Sequence, residues 1–561
     1  MVLPEEIAAD LIILNGNVFT VAPRKPRAEA VAVKNGTIIK VGTNKEMRSL
    51  LGERTQLLDI GHKTVIPGFI DAHQHLSFYA EKYLQEDLGP DKAVSLNDIK
   101  KIISKKIAVT PKGHWIRGQG YDDTKTTGNK FLNRWDLDEV AQEHPVFVSH
   151  IGGHVGIVNS EALRIANLKE DSSDPKGGRY GRDEVTGSLN GILYEQAAFM
   201  FAYESLAGRQ PIIPPFPRKE RRRVLKKACG DLLRDGITSI HDALVSPQYI
   251  TSYQDALINR ELNVRVYMLV THYFLDNLES LGIFTGFGNE KLRVGAIKII
   301  LDGAISSRTA YVSESFVGTK DDHGILVISS QQELNEIVLR AHKAGFQIAV
   351  HANGDRAIQM TLESYKNALE KHPRKNHRHR IEHCTIVNPA LLKEMKKLRI
   401  IAVPFGTFLW YHGEKVIPFY GIERAKMMFA HKSFLDEGIQ IAGSSDSPAM
   451  PFNPLLAIHG CVNRETCSGA TVGIKQRITP EAALSVYTLG GAYASFEEDI
   501  KGSIEPGKLA DLVVLSDDPT TIDPKSIKDI RIMMTIVGGE ILFSQNEMLA
   551  SRKGGSLWTR V

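Results

Sequence analysis

The stretch Val65-Ile-Pro-Gly-Phe-Ile-Asp-Ala-His-Gln-His75 has the pattern of one short buried strand that ends in two histidines. Side chains alternate between the faces of a strand, so His73 and His75 are predicted to point the same way, with Asp71 on the same face. Two imidazoles held that close could bind one metal ion. They could equally be two polar strand-end side chains that make ordinary hydrogen bonds.

Length and composition limit the class of protein. A chain of 561 residues is too long for one compact core, so two or more domains are expected. A net charge of +4 gives no case for nucleic acid or an anionic membrane as partner. The four scattered cysteines do not form a disulfide framework. The acidic N-terminus is not followed by the apolar run of a secretory signal, so we expect a cytoplasmic enzyme.

Short β-rich segments occur near both ends of the chain. Residues 10–64 contain two Asn-Gly pairs that predict tight hairpin turns, and residues 509–515 and 530–543 have a similar pattern. Neither end is large enough to bury a stable core alone. We therefore predict a small β-sandwich domain built from residues 1–64 and 496–561, the latter including a tail, with residues 65–495 inserted between them.

The central part of the chain has the alternation of strands and helices that is typical of an α/β domain with a parallel sheet. Residues 331–343 and 358–371 are examples of helical periodicity between strands. Seven further strands are predicted after the first, at residues 236–242, 263–270, 294–303, 345–351, 379–383, 399–404 and 438–446. Eight such units predict a TIM-like (β/α)₈ barrel, with its active site at the carboxyl ends of the strands. An open doubly wound sheet is the alternative, but no Gly-X-Gly-X-X-Gly motif supports it.

One gap breaks the regular spacing of the strands. Residues 77–230 are much longer than a barrel crossover, so they are predicted to hold an insertion after the first strand. Within it, residues 145–160 predict a strand, a Gly-Gly turn and a second strand. Residues 371–380, which are rich in lysine, arginine and histidine, predict an exposed connector between a helix and a strand.

Metal-binding residue types recur at the ends of later strands. His351, His383 and Asp446 each close a predicted strand, so they should meet His73 and His75 at one rim of the barrel. Imidazole and carboxylate ligands suit zinc, or alternatively iron, manganese, nickel or cobalt. This recurrence favours a metal site over ordinary strand-end histidines.

Lys298 is unusual because it lies inside an apolar predicted strand. Burial of an unpaired ammonium group is costly, so one interpretation is a buried ion pair with Asp302. The other is a neutral amine that reacts with carbon dioxide and bridges two metals as an anionic carbamate.

Several longer motifs carry a family resemblance over almost the whole chain. They lie at residues 68–75, 152–160, 301–308, 351–357, 378–383, 445–448 and 501–512. The sequence resembles the amidohydrolase superfamily, and within it the YtcJ-like branch (amidohydrolase family 3), which includes N-substituted formamide deformylases. The resemblance implies two zinc ions or other divalent transition metals. It implies that His73, His75 and Asp446 hold one ion, that His351 and His383 hold the other, and that carboxylated Lys298 bridges them.

Further residues are candidates for contact with a substrate. His150, His154, His241 and Tyr121 are predicted substrate-binding groups, although each could be structural. Aromatic residues near the predicted rim loops suggest that the substrate carries an apolar or aromatic group. The alternative is that they only pack those loops. These residues are Trp115, Tyr121, Phe405, Phe408, Trp410 and Tyr411.

The predicted reaction follows from these ligands. A metal-bound water can attack a carbonyl, and Asp446 would take its proton and deliver it to the departing amine. We expect a hydrolase that cleaves a non-peptide carbon–nitrogen bond of a small amide, with an N-substituted formamide or N-acyl compound as the type of substrate. The alternatives are a heterocycle deaminase and an inactive barrel that binds a ligand. No nucleic acid or membrane partner is expected, and the superfamily's preference implies a homodimer.

Overall fold

A computed structural model describes residues 8–128 and 130–545. The first seven residues of the predicted sandwich and the predicted tail from residue 546 lie outside the described residues. Within the described residues, no helix is both long enough and apolar enough to cross a bilayer.

The centre of the fold is a parallel sheet of seven strands that follow one another in chain order. Their bounds are β1 Phe69–Gln74, β2 Ile237–Val245, β3 Arg265–Thr271, β4 Leu292–Ile300, β5 Gln347–Ala352, β6 Arg380–His383 and β7 Ile401–Val403. Every residue of the seven strands is buried except Arg293, as expected where helices cover the outside of a sheet that curls on itself.

Residues 441–446, here called the closing segment, join the two edges of this sheet. The Ala442 amide donates to the Ala402 carbonyl at 3.0 Å, and the Ala72 amide donates to the Gly443 carbonyl at 2.9 Å. The segment takes the place of the predicted eighth strand, but it is not a regular strand, because it makes only isolated bridges to the sheet. The backbone turns to φ +59° at Asp446, and Pro448 has no amide hydrogen to continue a ladder. The parallel barrel is nearly closed.

Helices surround the barrel and pack apolar faces against it. In Gln331–Lys343, for example, Leu334, Val338 and Ala341 are buried in the same core cluster as Ile348 of β5. The longer helices of this part are Arg218–Arg234, Pro247–Ile258, Gln331–Lys343, Asp355–Lys371, Pro389–Leu398, Phe408–Tyr420 and Pro454–Asn463. Shorter ones are Leu76–Glu81, Leu275–Ser280, Ile422–Ala425, His431–Asp436, Pro480–Ser485 and Gly491–Ala494.

Both ends of the chain form two further sheets that share an apolar core. The first sheet has four N-terminal strands, Leu11–Leu14, Ala30–Lys34, Thr37–Gly42 and Gln56–Asp59. The second combines Asn17–Phe19, Arg27–Ala28 and Thr64–Pro67 with the C-terminal strands Leu512–Leu515, Ile532–Val537 and Glu540–Ser544. Ile13 of the first sheet and Val514 of the second lie in one buried cluster. Both termini contribute to these sheets as expected, while the domain limits at residues 64 and 495 stay a prediction.

The opening stretch is two strands rather than the one predicted. Thr64–Pro67 belongs to the sheet formed by both termini, and β1 begins at Phe69 in the barrel. The break falls at Gly68, whose backbone lies so close to Thr238 that an added Cβ would be 2.2 Å from its hydroxyl oxygen. The chain can pass from one sheet to the other at this point because glycine has no side chain.

The long insertion folds as a separate mixed sheet. Its strands are Glu86–Asp87, Ile116–Tyr121, Val146–His150, Val155–Val158, Gly178–Arg182 and Leu189–Glu195. Its helices are Leu96–Ile107, Asp123–Thr126, Arg134–Asp138, Ser160–Ile165, Gln196–Ala202 and Glu204–Ala207. The predicted pair of strands around the Gly-Gly turn is confirmed, since Val146–His150 and Val155–Val158 pair antiparallel.

The predicted exposure of residues 371–380 holds for residues 371–376, which are exposed or partly exposed, but is wrong for the end of the segment. His377 and His379 are buried just before β6, at the amino-terminal end of the barrel. His379 Nδ1 accepts from the Ile348 amide at 3.1 Å, and its Nε2 lies 2.8 Å from His342 Nδ1. These two histidines can be buried because backbone groups and His342 satisfy their nitrogens, which a pattern of basic residues does not reveal.

Candidate active site

The first two predicted ligands lie where β1 ends. His73 is fully buried, and its Nδ1 contacts the Glu382 carboxylate, which leaves Nε2 without a hydrogen-bond partner among the described residues. His75 lies one residue beyond the strand, and its Nδ1 is 3.1 Å from the Ala243 carbonyl. Each ring therefore donates through Nδ1 and keeps the lone pair of Nε2 free, the orientation that outer partners impose on metal-binding histidines.

Asp446 completes a cluster with these two histidines. Its Oδ1 lies 3.0 Å from His75 Nε2 and 3.4 Å from His73 Nε2. The ligand-type atoms of the three residues lie within 4.8 Å of one another. The positive φ of Asp446 is rare for a residue other than glycine and costs energy, a kind of strain often found at functional sites.

Asp71 holds the backbone beside this cluster in place through hydrogen bonds. Its carboxylate accepts hydrogen bonds from the Ser445 amide at 3.1 Å, the Ser445 hydroxyl at 2.5 Å and the His73 amide at 3.2 Å. These bonds tie β1 to the closing segment on either side of the site. Burial raises the pKa of the Asp71 carboxyl to about 7.

His351 and His383 form a second pair at the ends of β5 and β6. His351 Nδ1 and His383 Nε2 lie 3.0 Å apart, while His351 Nε2 is 3.1 Å from the Gly303 carbonyl. The Nδ1 of His383 is buried without a partner among the described residues. Burial holds the pKa of both imidazoles well below its usual range, so they stay in the neutral form that a metal ligand requires.

Lys298 lies on β4 and is fully buried. Its Nζ has no hydrogen-bond partner among the described residues. The alternative of an ion pair with Asp302 is not observed, because that carboxylate accepts from the amides of Asn353 and Gly354 at 3.0 and 2.9 Å. Burial lowers the pKa of the Lys298 amine to about 8.

Glu382 and Arg380 are functional candidates that the sequence reasoning missed. The Arg380 guanidinium holds both oxygens of Glu382, at 2.5 and 2.9 Å, and Glu382 in turn contacts His73. All three side chains are fully buried. The signal was present in the sequence: Arg380 and Glu382 alternate within a predicted barrel strand, so both charged side chains must point to the same side of it.

The cluster as a whole fits divalent metal ions. Two buried nitrogens of the cluster, His73 Nε2 and Lys298 Nζ, lack hydrogen-bond partners among the described residues. Two ligands that each lie 2.0–2.1 Å from a tetrahedral zinc ion are roughly 3.3 Å apart. The observed separations of 3.0 and 3.4 Å within the Asp446 cluster and 3.0 Å between His351 and His383 are close to that value.

One open cavity is lined by all six predicted ligands and by residues of the insertion. Its apolar wall includes Phe78, Phe199 and Tyr203. Phe405 and Phe408 line an adjoining cavity that also contacts His154, His351 and Asp446, and Phe405 stacks on His383 with ring centroids 4.4 Å apart. The other four aromatic residues expected near the substrate belong to the described lining of neither cavity. The aromatic wall of the first cavity comes from Phe78 in the helix after β1 and from Phe199 and Tyr203 of the insertion. The sequence alone does not show that these residues lie together.

The insertion brings His154 into this cavity. Its Nδ1 is 2.6 Å from the Glu195 carboxylate, and the Glu195 amide donates to the His154 carbonyl at 2.8 Å. Glu195 is fully buried and adopts the unusual backbone angles φ +50° and ψ −121°. The His154 ring centroid lies 5.5 Å from that of His351. The Glu195 carboxylate raises the pKa of His154 against the opposing effect of burial.

His150 also lines the cavity, but its environment argues against a metal at its own position. Asp122, Asp123 and His150 bring ligand-type atoms within 4.8 Å of one another. However, His150 Nδ1 accepts from the Gly152 amide at 3.1 Å, so Nε2 carries the proton and donates to Asp123 at 3.1 Å. The nitrogen that faces the carboxylates therefore has no free lone pair.

The other two predicted substrate-binding residues lie elsewhere. His241 is buried inside the barrel, where its Nδ1 is 2.8 Å from the Arg380 guanidinium. Tyr121 is buried in the insertion, with its hydroxyl 2.7 Å from Thr127 and its ring 6.1 Å from that of His150. Neither side chain is part of the described cavity lining.

Comparison with known proteins identifies one family model and two similar proteins that cover nearly the whole chain. A family model described as "Amidohydrolase family" matches residues 56–543. The N-substituted formamide deformylase of Arthrobacter pascens is 30% identical over 548 residues, which cover 96% of this chain and 98% of that protein. The Bacillus subtilis (strain 168) protein YtcJ, named as an amidohydrolase, is 29% identical over 95% of this chain and 99% of its own length.

A solved structure supports the fold. An uncharacterised metal-dependent hydrolase from Pyrococcus horikoshii OT3 superposes with a TM-score of 0.74 at 24% identity. The superposition covers 92% of this chain and 99% of that protein. The barrel, the terminal sheets and the insertion together are thus an arrangement found in a solved protein.

Proposed function

Because the chain belongs to the amidohydrolase family of metal-dependent hydrolases, we propose that it cleaves a non-peptide carbon–nitrogen bond in a small amide. The observation that carries the proposal is the set of unpartnered buried nitrogens beside Asp446 in one cavity. The likeness to the Arthrobacter formamide deformylase supports an N-substituted formamide or another N-acyl amine as the substrate.

The residues suggest how the metal would be held. His73, His75 and Asp446 would hold one ion, His351 and His383 a second, and carboxylated Lys298 would bridge both; we propose zinc, with other divalent transition metals as alternatives. A bound ion of this kind supplies a nucleophilic water at neutral pH and polarises the substrate carbonyl. The lysine is suited to carboxylation because it is buried, unpartnered and has a lowered pKa.

Proton transfer is assigned to Asp446. Its carboxylate faces the cavity at 3.0 Å from His75 Nε2, so it can accept a proton from attacking water and return it to the departing nitrogen. An amine leaves poorly until it is protonated, so this second transfer is as necessary as the first. His154, oriented by Glu195, is placed to hold a polar atom of the substrate on the opposite, insertion side of the cavity.

A substrate screen tests the proposal. Purified protein loaded with zinc is expected to release amine from at least one compound among N-formyl, N-acyl, ureido and cyclic amides, and chelation should abolish the release. The same plates read ammonia from heterocyclic amines, so ammonia release without amide cleavage would favour the deaminase alternative. A protein that binds no metal, with no activity after added zinc, would favour a ligand-binding barrel instead. The proposed homodimer is checked by light scattering on the same preparation.

A further inference from the structure

The short helix Leu76–Glu81 carries cavity-lining side chains at a regular interval. His75 lies just before it, and Phe78 and Glu81 follow at steps of three residues, so each side chain is next to the previous one and all three line the cavity. The rise of 1.5 Å per residue places Glu81 about 9 Å along the axis from His75. The helix therefore runs from the candidate metal cluster to a carboxylate within the same cavity.

The middle of this row of side chains is apolar. The Phe78 ring stacks on that of His75, with centroids 5.5 Å apart and an angle of 21°. On its other sides Phe78 contacts Tyr203 and Tyr249, at centroid distances of 5.3 and 5.6 Å. A ligand that extends from the metal cluster toward Glu81 would thus pass an aromatic surface that favours methylene or ring groups.

Glu81 lacks a direct counter-ion. Its Oε1 accepts a hydrogen bond from the Tyr249 hydroxyl at 3.2 Å, and no basic side chain of the described chain lies within 4.0 Å of it. Arg117 is the basic residue that affects it most, but its guanidinium contacts the Pro214 carbonyl and lies 4.1 Å over the Phe216 ring. Burial raises the pKa of Glu81 to about 7, because a carboxylate out of water is costly without a cation.

We propose that Glu81 selects substrates that carry a cationic nitrogen at the end remote from the cleaved bond. The substrate class is then an amide of an apolar diamine, with one nitrogen acylated at the metal cluster and the other, uncleaved, as an ammonium group at Glu81. An extended chain advances about 1.2 Å per bond, so the axial rise of about 9 Å sets the length scale at roughly seven or eight bonds. This inference rests on the proposed amide hydrolysis and specifies its substrate.

Two series of compounds test the charge preference. The first is mono-N-formyl α,ω-diaminoalkanes, and the second is N-formyl alkylamines of the same lengths, which end in methyl. The wild type is expected to show at least tenfold higher kcat/KM for the diamine series near the optimum length, and Glu81→Gln is expected to lose that preference. Glu86→Gln is the matched control, because Glu86 pairs with Lys106 at 2.9 Å and lies outside the described cavity lining. An unchanged preference in Glu81→Gln, or a wild type that favours methyl ends at every length, overturns the inference.

A second variant tests the distance. Glu81→Asp keeps the charge but withdraws the carboxylate by one methylene, so the optimum diamine is expected to be about one bond longer. An optimum that does not move contradicts recognition by this carboxylate. This variant also keeps the test available if Glu81→Gln does not fold.

A binding experiment distinguishes a failure of this inference from a failure of the proposed hydrolysis. If neither series is cleaved, the amide hydrolysis of these compounds fails, and the same compounds are titrated into wild type and Glu81→Gln by calorimetry. Tighter binding of the ammonium series to wild type alone supports the charge recognition by itself. Equal binding of the two series to wild type overturns it.

Discussion

Substitution of Glu382 separates its role in metal binding from its role in stability. Glu382 lies between Arg380 and His73, and all three side chains are fully buried. Glu382→Gln keeps the shape of the side chain, removes its charge and places an amide against a guanidinium or an imidazole N–H. We expect the variant to bind zinc more weakly and to be less stable.

The magnitudes follow from the contacts. Loss of one partner of a buried ion pair destabilises a protein by about 3–5 kcal/mol, because the remaining charge stays buried. Loss of a group that orients a metal-binding histidine weakens the metal by about 10- to 100-fold, equivalent to about 1.4–2.7 kcal/mol. The first effect acts on the whole fold, whereas the second acts only on the bound ion.

Asp511→Asn is the matched control. The Arg265 guanidinium holds both oxygens of Asp511, at 2.7 and 2.9 Å, and the pair is buried between β3 and the C-terminal strands. It resembles the Arg380–Glu382 pair in geometry and burial but touches none of the candidate ligands. We expect a similar loss in the free energy of unfolding with unchanged affinity for zinc.

Competition with a chromophoric chelator gives the zinc affinity, and denaturant unfolding of the metal-free proteins gives the stability. Glu382→Gln with wild-type zinc affinity and a stability loss equal to that of Asp511→Asn would refute the reasoning, since Glu382 would then be structural only. If Glu382→Gln does not fold, Glu382→Asp retains the charge beside Arg380 and withdraws it from His73, so the zinc affinity should still fall.

Three further predictions concern other residues. Lys298→Ala is expected to bind about one zinc ion for every two in the wild type by elemental analysis, because a carbamate is the proposed bridge; wild-type zinc content would contradict this. Glu195→Gln is expected to lower kcat/KM at least tenfold on a substrate found in the screen, because His154 loses a charge-assisted hydrogen bond. This loss corresponds to about 1.4 kcal/mol of transition-state stabilisation. A change in Tm without a change in kcat/KM would mean that Glu195 has a structural role. Burial lowers the pKa of His377 to about 4 against about 6.5 when unfolded, so the unfolded chain binds more protons below pH 6.5. The wild type should therefore lose up to about 1.4 kcal/mol per pH unit from pH 6.5 to 4 through this residue, and His377→Gln should lose less in denaturant titrations at each pH.

The parallel architecture was predictable because barrel strands are short apolar segments separated by helical periodicity. The helix Gln331–Lys343 was predicted to the residue, since its amphipathic pattern and its flanking polar residues agree. The irregular form of the eighth strand could not be predicted, because it depends on the turn at Asp446 and on contacts with strands that are distant in sequence. A local pattern carries no information about such contacts.

The same distinction applies to the candidate site. Residues that end strands can be placed at one rim from topology alone, which brings the four histidines and Asp446 together. Lys298 lies inside its strand, and only the family resemblance implied that it joins them. Glu195, Glu81 and the aromatic wall come from the insertion and from a helix face, and their approach to the rim depends on how the insertion packs. His241 is a predicted site residue that the rim does not include. It does not end its strand, so its side chain lies in the barrel interior beneath the rim.

The position of Thr64–Pro67 affects how the protein can be assembled during synthesis. This strand leads directly into β1, yet it pairs with Leu512–Leu515, which the ribosome makes only after nearly all of the barrel. The closing segment likewise reaches β1 only after seven strands exist. Early translation therefore leaves His73 and His75 on a segment with exposed edges, and contacts of such large sequence separation form slowly. The metal cluster should therefore become ordered only after Asp446 has been made, when about four-fifths of the chain already exists.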